Sequence, residues 1–318
     1  MSVREHLRRR FVSVAYAEPV DLVGKKIIVT GASAGSLGFE TARTLAQWGA
    51  SVVVTTRSNG GATAEAIQAQ LQEADARQRV EAHALDLSQR DSVVSFVRWF
   101  VEAHGDRLDV LVNNAGIHLD LLSRWKEPRL TDDGFEIHWR TNYLGTAHLT
   151  HLLLPLLEQT GQATSDARIV NVVSHLHMKG SNDDLFGATR PYSSWEAYGN
   201  SKLALMHMST ELQHRYANRS HMQAYCLHPG AVFTNVAGRG LEGTGFVEKA
   251  RNALSPVEAF FLKTAEEGAQ TQIHCATAPR VRGGLYYEDC KPAEASQDAA
   301  NAEIAARLWN QTQFWLGD

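Results

Sequence analysis

Cysteine is scarce in this chain. Cys226, Cys275 and Cys290 are the only three, odd in number and too far apart for a CxxC. That excludes a disulfide framework and points to reduced thiols, so a cytoplasmic location is expected. Long apolar runs are missing too. No stretch approaches the ~18 consecutive apolar residues of a membrane-spanning helix. The segment from Met1 to Arg10 (MSVREHLRRR) is basic, but neither an apolar region nor a small-residue cleavage site follows it. A secretory signal is therefore not expected. Excess positive charge is also lacking. A net charge of -4 argues against a nucleic-acid partner, since phosphate binding leaves a basic imbalance.

What is present is the material of a large core, with 44% hydrophobic and 21% charged residues in 318. Short runs rich in Val, Ile or Leu recur at 26–30, 51–56, 80–85, 108–112, 168–174 and 222–227, with a weaker one at 285–287. Helical patterns fill 38–48, 62–76, 88–104, 131–159 and 195–217. Strands of this kind alternating with helices predict a doubly wound parallel α/β sheet covered on both faces. With no internal repeat or low-complexity linker, the expectation is a single domain over 25–318 after an N-terminal extension, 1–24. Two stretches, 179–194 and 236–255, break the alternation and read as binding loops. A substrate loop is placed at about 236–262, and the tail looks helical over 299–309.

The first strand runs into VTGASAGSLGFE (Val29 to Glu40). In a βα turn, Gly31 permits the tight bend, and Gly35 lets backbone approach a pyrophosphate. Gly38 lets the helix pack closely, with its N-terminal N–H groups turned to anionic oxygens. Ser33, Ser36 and Leu37 complete the turn. The second strand ends without the carboxylate that usually binds a ribose 2′-OH; Thr56 and Arg57 stand there instead. A guanidinium suits a 2′-phosphate, which favours NADP(H), with NAD(H) still possible. Asp86 and Leu87 after the third strand, and Asn114, Ala115 and Gly116 after the fourth, fall on the same rim. Asp86 is a candidate acceptor for the adenine amino group. Asn113 and Asn114 read as braces for the turn.

Tyr198 and Lys202 form a YxxxK at the start of a helical pattern, where a spacing of four puts both on one face. Ser174 ends the strand before it, and Asn142 lies in the long preceding helix. With these in view the chain resembles the short-chain dehydrogenase/reductase family. The matching motifs are Thr30–Gly38, Asn113 to Gly116, Asn142, Ser174, Tyr198/Lys202 and Pro229-Gly230. Within the family it is most similar to the retinol-dehydrogenase-like branch, through RIVNVVSHLH (Arg168 to His177), LHPGAVFTN (Leu227 to Asn235) and YYEDCK (Tyr286 to Lys291).

The resemblance implies a Rossmann fold and hydride transfer between a nicotinamide cofactor and an alcohol or carbonyl. It casts Tyr198 as general acid/base, its pKa lowered by the Lys202 ammonium and by the oxidised nicotinamide. Lys202 would also hold the nicotinamide ribose. Ser174 would bond the substrate oxygen, and Asn142 would hold a water behind Lys202. Thr234 and the Val232 backbone would fix the carboxamide. A homodimer or homotetramer built on the 131–159 and 195–217 helices is also implied.

Three departures stand out. The glycine turn is TGxxxGxxG rather than the family's TGxxxGxG, so one extra residue lies near Ser36, and a bulged but working site is expected. Val173 replaces a serine common before Ser174. The hydrophobic N-terminal anchor of many retinol dehydrogenases is missing, so a protein free of the membrane is expected. For the substrate, His175, His177, Met178, Trp195, Phe233 and Phe246, with Leu241 and Phe260, supply aromatic and aliphatic walls. These suit a lipophilic alcohol or carbonyl such as a retinoid, a steroid or a medium-chain ketone. The histidines lack metal-ligand spacing, and no metal is expected. Two rivals remain: a non-catalytic NADP(H)-sensing protein on the same fold, and a methyltransferase of the same architecture, which would have no use for YxxxK.

Overall fold

The computed structural model describes residues 14–58, 60–71, 79–187, 190–232 and 262–317. Its strands are β1 (Lys26–Thr30), β2 (Ser51–Thr56), β3 (Val80–Ala84), β4 (Val110–Asn113), β5 (Ala167–Val172), β6 (Met222–Leu227), β7 (Tyr286–Glu288) and β8 (Lys291–Pro292). Among the described residues they form one sheet in the order β3-β2-β1-β4-β5-β6-β7-β8. All pairings are parallel except β7 with β8. The helices are α1 (Leu37–Gln47), α2 (Gly60–Gln68), α3 (Arg90–His104), α4 (Gly145–Thr164), α5 (Ser194–Ser220), α6 (Ala265–Thr277) and α7 (Ala302–Leu316). This is the doubly wound Rossmann arrangement the alternation predicts.

The strands read as continuous apolar runs because both faces are covered. Along β1, Ile28 joins one core and its neighbours Ile27 and Val29 join the other. The same alternation splits Ile169 from Val170 on β5, as a side-chain period of two requires. Phe96, Leu149 and Leu203, from α3, α4 and α5, fill one side; Leu45, Ile67 and Ile273, from α1, α2 and α6, fill the other. The 14–24 segment belongs to the body, since Ala17 and Leu22 are buried in the second core.

Two helices depart from expectation. The predicted 131–159 helix is shorter at its start: a π-helical turn over Trp139–Leu144 leads into α4. Such turns are inserted by local packing and leave little periodic signature in sequence. The tail helix α7 begins and ends later than the pattern indicates and lies across α4 and α5. Tyr143 and Thr312 share a 2.6 Å hydrogen bond, and Leu308 is 1% exposed. Trp309 stacks near His151 and Tyr216 and under Arg215. Part of the face assigned to homo-oligomer contacts is thus covered by the chain's own helix, because the apolar side of α7 needs that surface. No helix among the described residues is long and apolar enough to cross a membrane.

Candidate active site

The strand order reverses between β1 and β4, and a crevice opens beyond their carboxyl ends, where such sheets bind ligands. It holds a cavity of about 200 Å³ lined by Gly31, Ser33, Ser36, Leu37, Arg57, Asp86, Leu87 and Asn114 to Gly116. Thr55, Thr56, Ser58, Leu85, Ile117 and Thr141 also line it, and the sequence pattern did not single these out as cofactor contacts.

The lengthened glycine turn is closed by its own serine. Ser36 is the N-cap of α1: its Oγ accepts from the Phe39 amide at 3.2 Å and donates to the Gly31 carbonyl at 3.3 Å. The helix therefore starts at Leu37, and Gly38 falls inside its first turn. A Cβ on Gly38 would lie 2.5 Å from Asn114 Nδ2 and 2.8 Å from the Gly31 oxygen, so only glycine lets the helix sit this low. Gly35 adopts φ +74° with nothing within 4 Å of where a Cβ would stand. Its backbone borders open space, as a phosphate cradle requires. Ser36 reaches the cleft wall, although its hydroxyl is engaged in the cap.

Asn114 stitches the crevice together. Its Nδ2 donates to the carbonyls of Thr30 at 2.8 Å and Gly31 at 3.2 Å, and its Oδ1 accepts from Gln272 of α6 at 3.2 Å. Asn113 braces from the other side, donating to Thr150 and Asn171. Asn114 thus serves the turn, whereas Asn113 ties β4 to α4 and β5. At the rim, Arg57 is exposed at the end of β2, and Asp86 Oδ1 accepts from the amide and hydroxyl of Ser88.

The four candidate catalytic residues converge from different elements. The π-helical turn carries Asn142 into the interior, where Oδ1 accepts from the Ile117 amide at 2.8 Å. Its Nδ2 donates to the Ile117 carbonyl at 3.0 Å and to Ser201 Oγ at 3.1 Å. The amide thus ties the β4 loop to α5. Lys202, 3% exposed, donates from Nζ to the Val172 carbonyl at 3.0 Å. Its Nζ stands 5.7 Å from the Tyr198 ring centroid. Ser174 Oγ accepts from the Leu176 amide at 3.2 Å, and its side chain lies near enough to Tyr198 to favour the phenolate.

The electrostatics differ from expectation. Burial pushes Tyr198 up to about 12, with the Ser174 side chain pulling in the opposite direction. Burial alone brings Lys202 down to about 8. In the protein by itself, the predicted lowering of the Tyr198 pKa is therefore absent. Desolvation outweighs the influence of Ser174, and the phenol is neutral at neutral pH.

The substrate candidates scatter. Trp195 is half-buried, its Nε1 donating to the Leu121 carbonyl at 3.3 Å. His175 is exposed, 5.9 Å from His228, and Met178 is 51% exposed. His177 corrects the pocket-wall reading. It is 0% exposed, with Nδ1 bonded to the Ser174 carbonyl at 2.8 Å and Nε2 accepting from the Ser296 amide at 3.1 Å. Both ring nitrogens are committed to holding the strand end and the tail, so the ring braces Ser174 from behind.

Pro229 is buried, and Gly230 takes φ +87° over the Lys263 side chain. Val232 bridges to Lys263, and the Lys263 Nζ pairs with Asp289. Phe233, Thr234, Leu241, Phe246 and Phe260 lie outside the described residues. Among those described, no group of three His, Cys, Asp or Glu side chains is placed to hold a metal.

The sequence reading missed His118, which stacks on Tyr198 with ring centroids 4.5 Å apart. Its place two residues after Gly116, at the cleft rim, was the available signal.

Comparisons agree with this geometry. The short chain dehydrogenase family model matches residues 25–243, and the chain belongs to the short-chain dehydrogenase/reductase family. Its relatives include retinol dehydrogenase 12 of Mus musculus, 35% identical over 98% of this chain and 92% of that protein. Human retinol dehydrogenase 11 is also 35% identical, with the same shares covered. It is thus a retinol-dehydrogenase-like oxidoreductase of alcohols and carbonyls. Among solved structures, an E. coli oxidoreductase superposes with TM-score 0.62 at 22% identity, covering 86% of this chain and 98% of that one. L-sorbose reductase from Gluconobacter frateurii, solved with NADPH and L-sorbose, also gives 0.62, at 19% identity over 85% and 96%. These two share the fold.

Proposed function

We propose that this chain is an NADP(H)-dependent reductase of lipophilic ketones or aldehydes, with Tyr198 as the proton donor. The observation that carries this reading is the convergence of Tyr198 and Ser174 at the crevice with Lys202 anchored on the Val172 carbonyl at 3.0 Å, burial pushing the Tyr198 phenol up to about 12. A neutral phenol is ready to give a proton to a carbonyl oxygen, which is what reduction needs.

A nicotinamide cofactor supplies the hydride when bound. Gly31, Gly35 and the α1 N-terminus would hold its pyrophosphate, and Asp86 its adenine. Arg57 would meet a 2′-phosphate, and Lys202 with the Val232 backbone would hold the nicotinamide half. The chain's own residues do the rest. Ser174 donates to the substrate oxygen and stabilises charge gathering there. Tyr198 delivers the proton at its hydroxyl. Lys202, anchored on Val172, keeps positive charge within reach of the resulting phenolate. Trp195 supplies an aromatic wall for an apolar substrate.

The test is titration with NADPH and NADH, followed by assay of lipophilic ketones with the wild type and Tyr198→Phe. Tight NADPH binding and turnover lost in the variant support the reading. Wild-type turnover in Tyr198→Phe would overturn it.

A further inference from the structure

The YYEDCK stretch, Tyr286 to Lys291, takes no part in the chemistry above, yet its backbone is held in an uncommon state. Glu288 pairs with Lys291 across a two-residue turn, and the residues between them, Asp289 and Cys290, have φ of +50° and +59°. A hairpin turn of this kind needs positive φ at both positions and usually places glycine at the second. Asp289 tolerates that region, but Cys290 is held there against its preference. The turn is tied down on two sides. The Cys290 amide donates to Thr271 Oγ1 of α6 at 3.3 Å, and its thiol donates to the Ala15 carbonyl at 3.6 Å. Asp289 thus stands on a fixed support.

What it meets is Lys263. The Lys263 Nζ donates to Asp289 Oδ1, the two side chains being 10% and 24% exposed. A pair so largely out of water adds little net stability over apolar residues of the same shape, so its use lies in geometry. The lysine stem runs directly under the loop that follows β6. A Cβ on Gly230 would stand 2.9 Å from Lys263 Cδ and Nζ. The Lys263 amide donates to the Ala231 carbonyl at 2.8 Å, and Val232 bridges to Lys263. The next residue, Thr264, caps α6 in a capping box with Glu267, which fixes Lys263 at its backbone end as well. The backbone from Gly230 to Val232 therefore rests on a bar anchored at both ends.

We propose that Lys263 and Asp289 are positioning residues for the nicotinamide half of the cofactor. Their pair sets the height of the Gly230 to Val232 backbone, and Asp289 acts through Lys263. This rests on the cofactor reading above, in which the Val232 backbone holds that half. The adenine half is assigned to Gly31, Gly35, Arg57 and Asp86, after β1, β2 and β3. Lys263 and Asp289 stand beside β6 and β7, with β4 and β5 between. Loss of the pair should then weaken the hold on one half of the cofactor and spare the other.

The experiment titrates NADPH and 2′,5′-ADP, a fragment lacking the nicotinamide half, into the wild type, Lys263→Met, Asp289→Asn and the double variant. Methionine keeps an unbranched stem under Gly230, and asparagine tolerates positive φ, so each variant removes a charge and keeps the backbone. NADPH affinity should fall about tenfold in each single variant and hardly further in the double, as for two residues of one interaction. Affinity for 2′,5′-ADP should stay within about twofold of the wild type, as for an independent site. Equal losses for the two ligands would make the pair a general support of the fold and overturn the inference. So would unchanged NADPH binding in Asp289→Asn, or losses that add in full in the double variant. A wild type that binds NADPH no more tightly than 2′,5′-ADP, or binds neither, would instead defeat the cofactor reading itself, and this inference with it.

Discussion

Lys202 Nζ donates to the Val172 carbonyl oxygen at 3.0 Å, tying the helix that presents Tyr198 to the strand end that presents Ser174. Val172 lies two residues before Ser174, so this one bond sets the distance between proton donor and substrate-oxygen partner. Lys202→Met should lower kcat by about 10²-fold or more, the lower range for a positioned acid–base group. Steady-state kinetics of a variant with an unchanged melting temperature is the check.

The same lysine sets a pH dependence. With its pKa brought down to about 8 by burial, Lys202 is cationic at pH 7 and loses its charge as pH rises through 8. NADPH affinity of the free protein should therefore weaken between pH 7 and 9, and Lys202→Met should remove that slope. Fluorescence titration across the range decides it. A slope retained in the variant would assign the dependence to another group.

Arg57 is the cation offered to a 2′-phosphate at the end of β2. Arg57→Ala should weaken NADPH binding about tenfold or more, in line with a charge-assisted bond, and leave NADH binding nearly unchanged. Equal losses for the two cofactors would remove Arg57 from that role.

Buried neutral histidines make acid stability a second readout. Burial lowers His118 and His207 to about 4 each, below the unfolded value of about 6.5. The stability they contribute is complete above pH 6.5 and is lost as pH falls towards 4, because the unfolded chain takes up protons first. His207 Nε2 is bonded to Asn182 Oδ1 at 2.8 Å, a bond that a glutamine amide can also make. His207→Gln should lose less melting temperature between pH 7 and 4.5 than wild type does; an equal loss would exclude His207 as a source.

The tail helix carries a prediction about assembly. Leu308→Ala should cost about 2–5 kcal/mol, as for other large-to-small changes in a packed core, measurable by urea unfolding. Since α7 covers part of α4 and α5, the wild type should be monomeric at micromolar concentration in light scattering, contrary to the family pattern. A stable dimer would show that the remaining uncovered surface suffices.

The strands and most helices were legible because burial on both faces leaves continuous apolar runs, as in β1 and β6. The turn and YxxxK motifs were legible because backbone geometry fixes their spacing. Other features depend on tertiary contacts that no local pattern records. The π-helical turn around Asn142 answers to packing against Ile117. The inward rotation of His177 answers to Ser296, 119 residues away in sequence. The stacking of His118 needs α5 brought against the β4 loop. The raised Tyr198 pKa was missed for a related reason: desolvation is a property of the closed site, whereas the motif shows only the neighbouring charge.

Asn114, bonded at once to the end of β1, the turn and α6, has a kinetic consequence. A crevice whose lips are already fastened needs no rearrangement to admit its ligand, and little ordering entropy remains to be spent on docking there. Mixing experiments should therefore show association as a single exponential with a rate rising linearly with NADPH concentration. Cutting the Asn114 tether should introduce a plateau, the mark of a slow conformational step that the intact side chain has made unnecessary.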